Sequence, residues 1–254
     1  MFPLYFWFGS FPIHPHLLFE SLAYAIAFRL TLHNGRKDPL NSSQRSSVIV
    51  GGMLGALVGA KALVLLQHLD LLWQNWQLWA WLFVQGKTVV GALLGGLIGV
   101  ELTKKMIGVT CSTGDVFVEP LIVGTAIGRV GCFLTGLSDR TYGIATHLPW
   151  GVDFGDGVSR HPTQLYEIAF LIILMLFLRL RSRYQLQSGD LFKFYMISYL
   201  SFRFWIDFLK PDFHPFLGLS AIQVACLLGL GYYRYSFQKM WRFERLNSVP
   251  PPPS

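Results

Sequence analysis

The chain has 254 residues, of which 52% are hydrophobic and only 14% are charged, and its formal net charge at pH 7 is +7. Soluble globular domains carry about 25% charged residues, so this composition argues against an ordinary soluble domain and favours an integral membrane protein. The lysines and arginines fall in short clusters between apolar runs, so we expect anionic lipid headgroups, and not nucleic acid, as their partners.

Seven apolar segments follow one another along the chain. They cover about residues 17–33, 47–67, 88–102, 116–134, 162–178, 190–209 and 216–233. A spanning helix needs roughly 20 apolar residues, and several segments are shorter. Two segments fit a spanning helix least well: 17–33 contains Glu20 and Arg29, and 88–102 is rich in glycine. Either could form a tilted, broken or re-entrant helix, which is tolerated where the backbone is buried in protein. The sequence predicts an all-α, polytopic membrane helix bundle with about seven transmembrane helices.

The distribution of lysine and arginine predicts the orientation, because short cytoplasmic loops collect positive charge. Positive clusters follow the first, third, fifth and seventh segments: Arg36, Lys37 and Arg45; Lys104 and Lys105; Arg179, Arg181 and Arg183; Arg234, Lys239, Arg242 and Arg245. The intervening connections are poorer in positive charge. We therefore expect the N-terminus outside and the C-terminus in the cytoplasm.

This pattern predicts a single transmembrane domain over residues 1–245, with external or interfacial elements near 70–87 and 135–161. The first of these elements contains Trp73, Trp76, Trp79 and Trp81, which are typical of an aromatic belt at headgroup level. Residues 246–254 include four consecutive prolines, which cannot continue a helix, and are expected to form a disordered tail.

The three cysteines, Cys111, Cys132 and Cys226, are too few and too scattered for a disulfide framework or a zinc site. We expect no metal ion and no other cofactor.

Glycines recur at helical spacing in two neighbouring segments: Gly51, Gly52, Gly55 and Gly59, then Gly91, Gly95, Gly96 and Gly99. Spacings of four place small residues on one helix face and let two backbones approach closely, so helix packing is the favoured interpretation. The alternative is that Gly95 and Gly96 let a ligand headgroup approach the helix.

Two arginines lie at membrane depth. Tyr199, Arg203 and Asp207 share one face of the sixth segment, because they are spaced four residues apart. Either Arg203 and Asp207 form only an internal ion pair, or Asp207 fixes Arg203 so that its guanidinium binds a phosphate with two hydrogen bonds. Arg129, between glycines in the fourth segment, is the second arginine, and the two together suggest an anionic headgroup.

A polar run, Arg160-His161-Pro162-Thr163-Gln164-Leu165-Tyr166-Glu167, opens the fifth segment. Ionisable groups at a membrane helix usually face a bundle interior or a water-filled cavity, so this run predicts a polar site. His161 is either a helix cap or, because histidine is a common general acid or base, a base or an orienting donor.

These blocks resemble the motifs of the prolipoprotein diacylglyceryl transferase family. The run from Arg160 to Glu167 resembles its RHPSQLYE block, residues 128–133 resemble GRxGNF, residues 199–207 resemble YGxFRxxxEF, residues 95–99 resemble HGGLIG, and Ile222-Gln223 stands where the family has Gly-Gln. Gly143 resembles the glycine that closes the signature block. The resemblance covers about residues 90 to 225.

The resemblance implies an enzyme of the bacterial inner membrane that transfers a diacylglyceryl group from phosphatidylglycerol to the lipobox cysteine thiol in a prolipoprotein signal peptide. It implies that Arg129 and Arg203 hold the phosphate and that Tyr199 hydrogen-bonds the headgroup or the acceptor. His161, from its place beside this cluster, is predicted as a further catalytic residue. Residues expected to contact substrate are Arg160, Tyr166, Glu167, Gly95, Gly96, Gly131, Asp207 and Gln223.

The chain departs from the family motifs at the proton-abstracting position. Leu94 replaces the histidine of the glycine block, and Cys132, Thr135 and Leu137 replace the signature Asn and Glu residues. Leucine accepts no proton, so a base has to be His161, Glu167 or Glu20. The alternative functions are an altered member that binds or moves anionic glycerophospholipid or uses another acceptor, and a small-solute transporter, which the lack of a visible inverted repeat disfavours.

Overall fold

The computed structural model describes residues 5–35, 40–68, 86–182, 187–211 and 218–247, with only the backbone described for Phe8 and residues 236–247. These ranges contain seven α-helices: α1 Pro15–Asn34, α2 Ser42–Gln67, α3 Val89–Met106, α4 Asp115–Thr135, α5 Thr163–Arg181, α6 Asp190–Ile206 and α7 Ala221–Asn247. A 3₁₀ turn, Gly136–Asp139, follows α4, and another, Asp207–Leu209, follows α6.

Each predicted apolar segment overlaps one of these helices, so the mainly helical fold is confirmed. Within the described residues, three helices are long and apolar enough to cross a membrane: Ser42–Gln67, Asp115–Asp139 (α4 with its 3₁₀ turn) and Thr163–Arg181. Helix α7 continues two residues into the predicted tail. The four tryptophans at 73–81, the positive residues Arg36, Lys37 and Arg183, and residues 248–254 lie outside the described residues.

Two short antiparallel hairpins, which the sequence analysis did not predict, accompany the helices. Strand β1 Phe6–Phe8 pairs with β2 Phe11–Ile13, and β3 Val152–Asp153 pairs with β4 Ser159–Arg160. In the second hairpin, one carboxylate oxygen of Asp153 accepts hydrogen bonds from the N–H groups of residues 155, 156 and 157. This turn aligns β4 so that the chain enters the polar run that starts at Arg160.

Helices α2 and α3 form a closely packed pair through their glycines. A Cβ atom on Gly59 would lie 2.8 Å from the Cα of Gly95, and one on Gly55 would lie 2.9 Å from the Cα of Gly99. Real Cβ atoms do not approach a backbone this closely, so the pair requires glycine at these positions. Gly96 faces the same helix at a wider spacing, 3.4 Å from the carbonyl oxygen of Gly52. The structure therefore places Gly95 and Gly96 between helices, as the packing interpretation predicts.

A second closely packed pair joins α1 to α4. A Cβ on Gly131 would lie 2.7 Å from the Cβ of Phe19 and 3.5 Å from the Cα of His16. Gly131, expected to contact substrate, thus brings the first turn of α1 against the last turns of α4. This contact matters for the site, because it places His16 beside the residues that follow Arg129.

The remaining helices share an apolar core that holds the polar residues in place. Helix α6 contributes Tyr195, Met196 and Leu200, and α5 and α7 contribute Leu171 and Cys226; each of these side chains is fully buried. A rigid surrounding of this kind fixes the rotamers of polar side chains that lie one turn further along the same helices.

Candidate active site

The guanidinium groups of Arg129 and Arg203 meet at the carboxylate of Glu167. Nε of Arg129 on α4 and Nη1 of Arg203 on α6 each lie 3.0 Å from Oε2 of Glu167 on α5. The three side chains are 8%, 3% and 2% exposed. The sequence analysis named all three residues, and the structure brings them together from three different helices.

Tyr199 completes this group. Its hydroxyl donates a hydrogen bond of 2.6 Å to Oε1 of Glu167, and its ring stacks on that of Tyr195 with centroids 5.8 Å apart. Both carboxylate oxygens of Glu167 are therefore in use. A carboxylate engaged by three donors orients those donors, so the geometry favours an anchoring role for Glu167 over a role as base.

Asp207 is only a secondary partner of Arg203. Its Oδ1 lies 3.7 Å from Nη2 of Arg203, which is farther than the 3.0 Å contact with Glu167. The expectation that Asp207 fixes the rotamer of Arg203 therefore needs correction, because Glu167 makes the shorter contact. The other oxygen of Asp207 accepts a hydrogen bond from the hydroxyl of Ser220.

Gln223 fastens the start of α7 to the end of α6. Its Oε1 accepts a hydrogen bond of 2.8 Å from the N–H of Ser220, and its Nε2 donates one of 3.2 Å to the carbonyl of Phe204. Ser220 therefore links Gln223 to Asp207. This arrangement gives Gln223 a positioning role next to Arg203.

A buried donor remains available in the arginine pair. Nε of Arg203 is buried and makes no hydrogen bond within the described part of the chain. Nε of Arg129, in contrast, lies 3.0 Å from Oε2 of Glu167. Unsatisfied buried N–H groups are costly, and an anionic ligand with several acceptor oxygens would satisfy them.

The first part of the polar run forms a separate network in the loop between α4 and α5. Arg160 donates to Asp156 at 2.6 Å, and its guanidinium lowers the pKa of the Asp156 carboxyl below the ordinary value. Nδ1 of His161 lies 3.1 Å from the hydroxyl of Tyr166, which also accepts a hydrogen bond of 2.8 Å from Trp150. Arg160, His161 and Tyr166 thus make their side-chain hydrogen bonds within this region and not with Arg129 or Arg203.

Gly143 holds this loop against the polar run. Its N–H donates to the carbonyl of His161 at 2.9 Å. A Cβ at Gly143 would lie 2.7 Å from the Cβ of His161 and 2.8 Å from the carbonyl oxygen of Leu209. Only glycine allows this approach, so the loop, the start of α5 and the end of α6 meet there.

Comparison with known proteins identifies the family. A sequence model described as prolipoprotein diacylglyceryl transferase matches residues 3–234. The chain belongs to the prolipoprotein diacylglyceryl transferase family.

Three relatives carry the name phosphatidylglycerol–prolipoprotein diacylglyceryl transferase. The protein of Campylobacter lari is 29% identical over 235 residues, or 85% of each chain. The protein of Clostridium tetani is 31% identical over 184 residues, which covers 70% of this chain and 72% of the relative. The protein of Cupriavidus metallidurans is 34% identical over 188 residues, which covers 70% of this chain and 64% of the relative, just under two thirds of its length.

Leu94, where the family motif has histidine, faces apolar neighbours in this member of the transferase family. It packs against the apolar core of the bundle, and its Cδ2 would lie 3.0 Å from a Cβ on Gly229 of α7. A side chain in this position has no polar function, so the structure gives no substitute base at the site of the family histidine.

The sequence analysis missed a second polar cluster beside the arginine pair. Nδ1 of His16 lies 3.0 Å from Oδ1 of Asp139, and its Nε2 lies 3.3 Å from Oε2 of Glu20. Cys132 connects the two sites, because its sulfur lies 3.8 Å from Nη1 of Arg129. The available signal was the four-residue spacing of His16 and Glu20 at the start of a weakly apolar segment; nothing in the sequence linked them to Asp139.

Proposed function

We propose that the protein transfers the diacylglyceryl group of phosphatidylglycerol to the lipobox cysteine thiol of a prolipoprotein, in the lipoprotein biosynthesis of a bacterium. One observation carries the proposal: Arg129 and Arg203 reach a single buried point from two helices. A phosphodiester is the part of phosphatidylglycerol that this pair suits, because guanidinium groups bind phosphate oxygens with paired hydrogen bonds.

In the proposed reaction, the thiolate sulfur attacks the glyceryl carbon that carries the phosphate. The new C–S bond forms as the C–O bond breaks, and glycerol phosphate leaves with the electron pair. Arg129 and Arg203 stabilise the charge that develops on the departing phosphate, which is the kind of electrostatic assistance that contributes most to many enzymes. Glu167 and Tyr199 hold the two guanidiniums in position. Asp207, directly after α6, and Gln223, at the start of α7, support Arg203.

The external-loop residues suit the peptide acceptor better than the phosphate. Arg160, His161 and Tyr166 lie at the start of α5, where the chain enters the bundle. Gly143 joins their loop to His161, and the N–H of Ile144 joins it to the carbonyl of Leu209 after α6. We assign them to orienting the signal peptide. Gly131 serves by letting α1 approach α4, and Gly95 and Gly96 serve by packing α3 on α2.

We further propose that all seven helices form one domain that crosses the cytoplasmic (inner) membrane, with the N-terminus outside and the C-terminus inside. Polar contacts at the two ends support this arrangement. At one end, Asp115 at the start of α4 accepts hydrogen bonds from the N–H groups of Gly189 and Phe192 at the start of α6. At the other end lie His16 at the start of α1, Asp139 after α4 and the loop before α5.

Cysteine labelling in intact cells tests this orientation. A cysteine at the exposed loop position Asp156 should react with a membrane-impermeant maleimide, whereas one at the exposed position Met106 should react only after permeabilisation. The reverse pattern would overturn the orientation. The parent chain with its three native cysteines gives the background.

A second candidate function follows from Leu94, since a leucine in apolar packing removes the usual base. In that case the protein binds or moves an anionic glycerophospholipid, or serves another acceptor. Incubation of the purified protein with labelled phosphatidylglycerol and a lipobox peptide separates the two. Label on the cysteine peptide, and none on a serine peptide, supports transfer; bound lipid without label on either peptide supports the second candidate.

A further inference from the structure

The cluster of His16, Cys132 and Asp139 has the composition of a metal site. One ligand atom from each residue, a ring nitrogen, a thiol sulfur and a carboxylate oxygen, lies within 4.8 Å of the other two. The residues come from α1, from the last turn of α4 and from the 3₁₀ turn after it. We propose that these three side chains bind Zn²⁺.

The orientation of His16 and Asp139 favours a shared ligand over a direct bond. Nδ1 of His16 is buried and makes no aligned hydrogen bond in the described residues, although it lies 3.0 Å from Oδ1 of Asp139. Two groups that are close but not aligned with each other can both direct a lone pair at a third point. A cation at that point, with Cys132 as the third ligand, would use all three groups.

The surroundings of the three residues match those of a zinc site. A metal-binding histidine usually donates its second ring N–H to a carboxylate, and a metal-binding carboxylate is itself hydrogen-bonded. Here Nε2 of His16 lies 3.3 Å from Glu20, and Lys87 donates to Glu20 in turn. Thr141 donates to Oδ2 of Asp139 at 2.5 Å, which leaves Oδ1 for the metal.

The ligand set selects among metals. Nitrogen and sulfur donors favour zinc over magnesium or calcium, which prefer oxygen ligands only. Three protein ligands are typical of catalytic zinc sites, in which the fourth position binds water or substrate. Structural zinc sites have four protein ligands. A site with only three protein ligands therefore favours a catalytic role for the metal.

The position of the cluster suggests what the fourth ligand is. The sulfur of Cys132 lies 3.8 Å from Nη1 of Arg129, so the metal would adjoin the proposed phosphate site. If the proposed transferase function is right, the fourth ligand is the acceptor cysteine. A thiol bound to zinc releases its proton, here to water, and remains as a thiolate. The bound thiolate would be placed to attack the glyceryl carbon as in the proposed reaction, in which the C–O bond breaks and glycerol phosphate leaves with the electron pair.

A metal-bound thiolate needs no separate base, which accounts for the leucine at position 94. It also revises the expectation from sequence that three scattered cysteines exclude zinc. One cysteine suffices here, because the fold adds a histidine 116 positions earlier in the chain and an aspartate seven positions later.

Metal binding by the full-length protein in detergent tests the inference. After exhaustive chelation, addition of Zn²⁺ should restore about one equivalent per chain, and Co²⁺ should give a thiolate-to-cobalt charge-transfer absorption. Cys132→Ser should abolish that absorption, and His16→Ala should remove stoichiometric zinc binding. Glu20→Gln should weaken zinc binding by roughly 10–100-fold, as for other outer-sphere changes. Cys111→Ser, outside the cluster, is the matched control and should bind like the parent chain.

The thermal unfolding of each variant, measured without metal, shows whether it folds. No zinc binding by the parent chain, or binding unchanged in folded Cys132→Ser and His16→Ala, would overturn the inference. Transfer that continues in the fully chelated protein would also overturn the metal's role while leaving the transferase proposal intact. If these residues bind zinc but no diacylglyceryl group is transferred to the peptide, the transferase proposal is contradicted and the inference of a metal site stands.

Discussion

Replacement of Glu167 by glutamine tests whether this carboxylate is the anchor of the arginine pair. Glu167 receives contacts of 3.0 Å from each arginine and 2.6 Å from Tyr199. Glutamine keeps the shape, but it has one acceptor oxygen and presents N–H donors to a guanidinium. Both guanidiniums then lose their nearest counter-charge while they remain buried.

The expected loss of stability is about 3–5 kcal/mol, which is typical when one partner of a buried ion pair is removed. This corresponds to a change of roughly a hundredfold to a few thousandfold in the unfolding equilibrium. Chemical unfolding in detergent micelles measures it. Glu119→Gln is the matched control, because Glu119 pairs with Arg179 at 3.0 Å while the two side chains are 37% and 65% exposed. An exposed pair contributes only about 0–1 kcal/mol.

Equal effects of Glu167→Gln and Glu119→Gln would refute the anchoring role. Activity gives a second criterion. If Glu167 only positions the arginines, residual transfer by Glu167→Gln should keep the pH profile of the parent chain. Loss of one limb of that profile would instead identify Glu167 as the base.

Two further predictions concern Arg203 and the glycine interface. Arg203→Ala should abolish transfer and Arg203→Lys should restore only part of it, because an ammonium group lacks the planar pair of donors; full activity of the alanine variant, measured with labelled lipid, would exclude Arg203 from phosphate binding. Gly59→Ala should lower stability by about 1–3 kcal/mol through overpacking, because its Cβ would meet the backbone of Gly95. Gly231→Ala, whose Cβ would meet nothing within 4 Å, is the control, and thermal unfolding with equal midpoints for the two variants would contradict the account.

Much of the fold could be predicted because apolar length and glycine spacing are local properties of the chain. The seven segments needed only a count of consecutive apolar residues, and the interlocking of α2 with α3 followed from glycines four apart. The short hairpins could not be predicted in the same way. They depend on turns such as that at Asp153, whose side chain accepts hydrogen bonds from three successive N–H groups. A stretch of so few residues shows no hydrophobic periodicity that would predict a strand.

The site was only partly predictable for a related reason. The motifs predicted that Arg129, Arg203, Tyr199 and Glu167 belong to the site, but not how they contact one another. Asp207 was therefore predicted as the residue that fixes Arg203, whereas Glu167 makes the shorter contact. The four-residue spacing of Arg203 and Asp207 predicts that these two side chains are neighbours on one helix face. Glu167 lies on a different helix, α5, so no spacing in the sequence predicts its contact with Arg203. His16 and Asp139 were missed because they lie 123 positions apart and meet only through the close packing at Gly131.

The most direct test of the central claim is transfer from labelled phosphatidylglycerol to a lipobox peptide by the purified protein, with Arg129→Ala beside the parent chain. Arg179→Ala, at an exposed arginine away from the site, controls for loss of charge. We expect label on the peptide cysteine with the parent chain and with Arg179→Ala, and none with Arg129→Ala. Equal labelling by Arg129→Ala and the parent chain would contradict the assignment of the arginine pair to the phosphate.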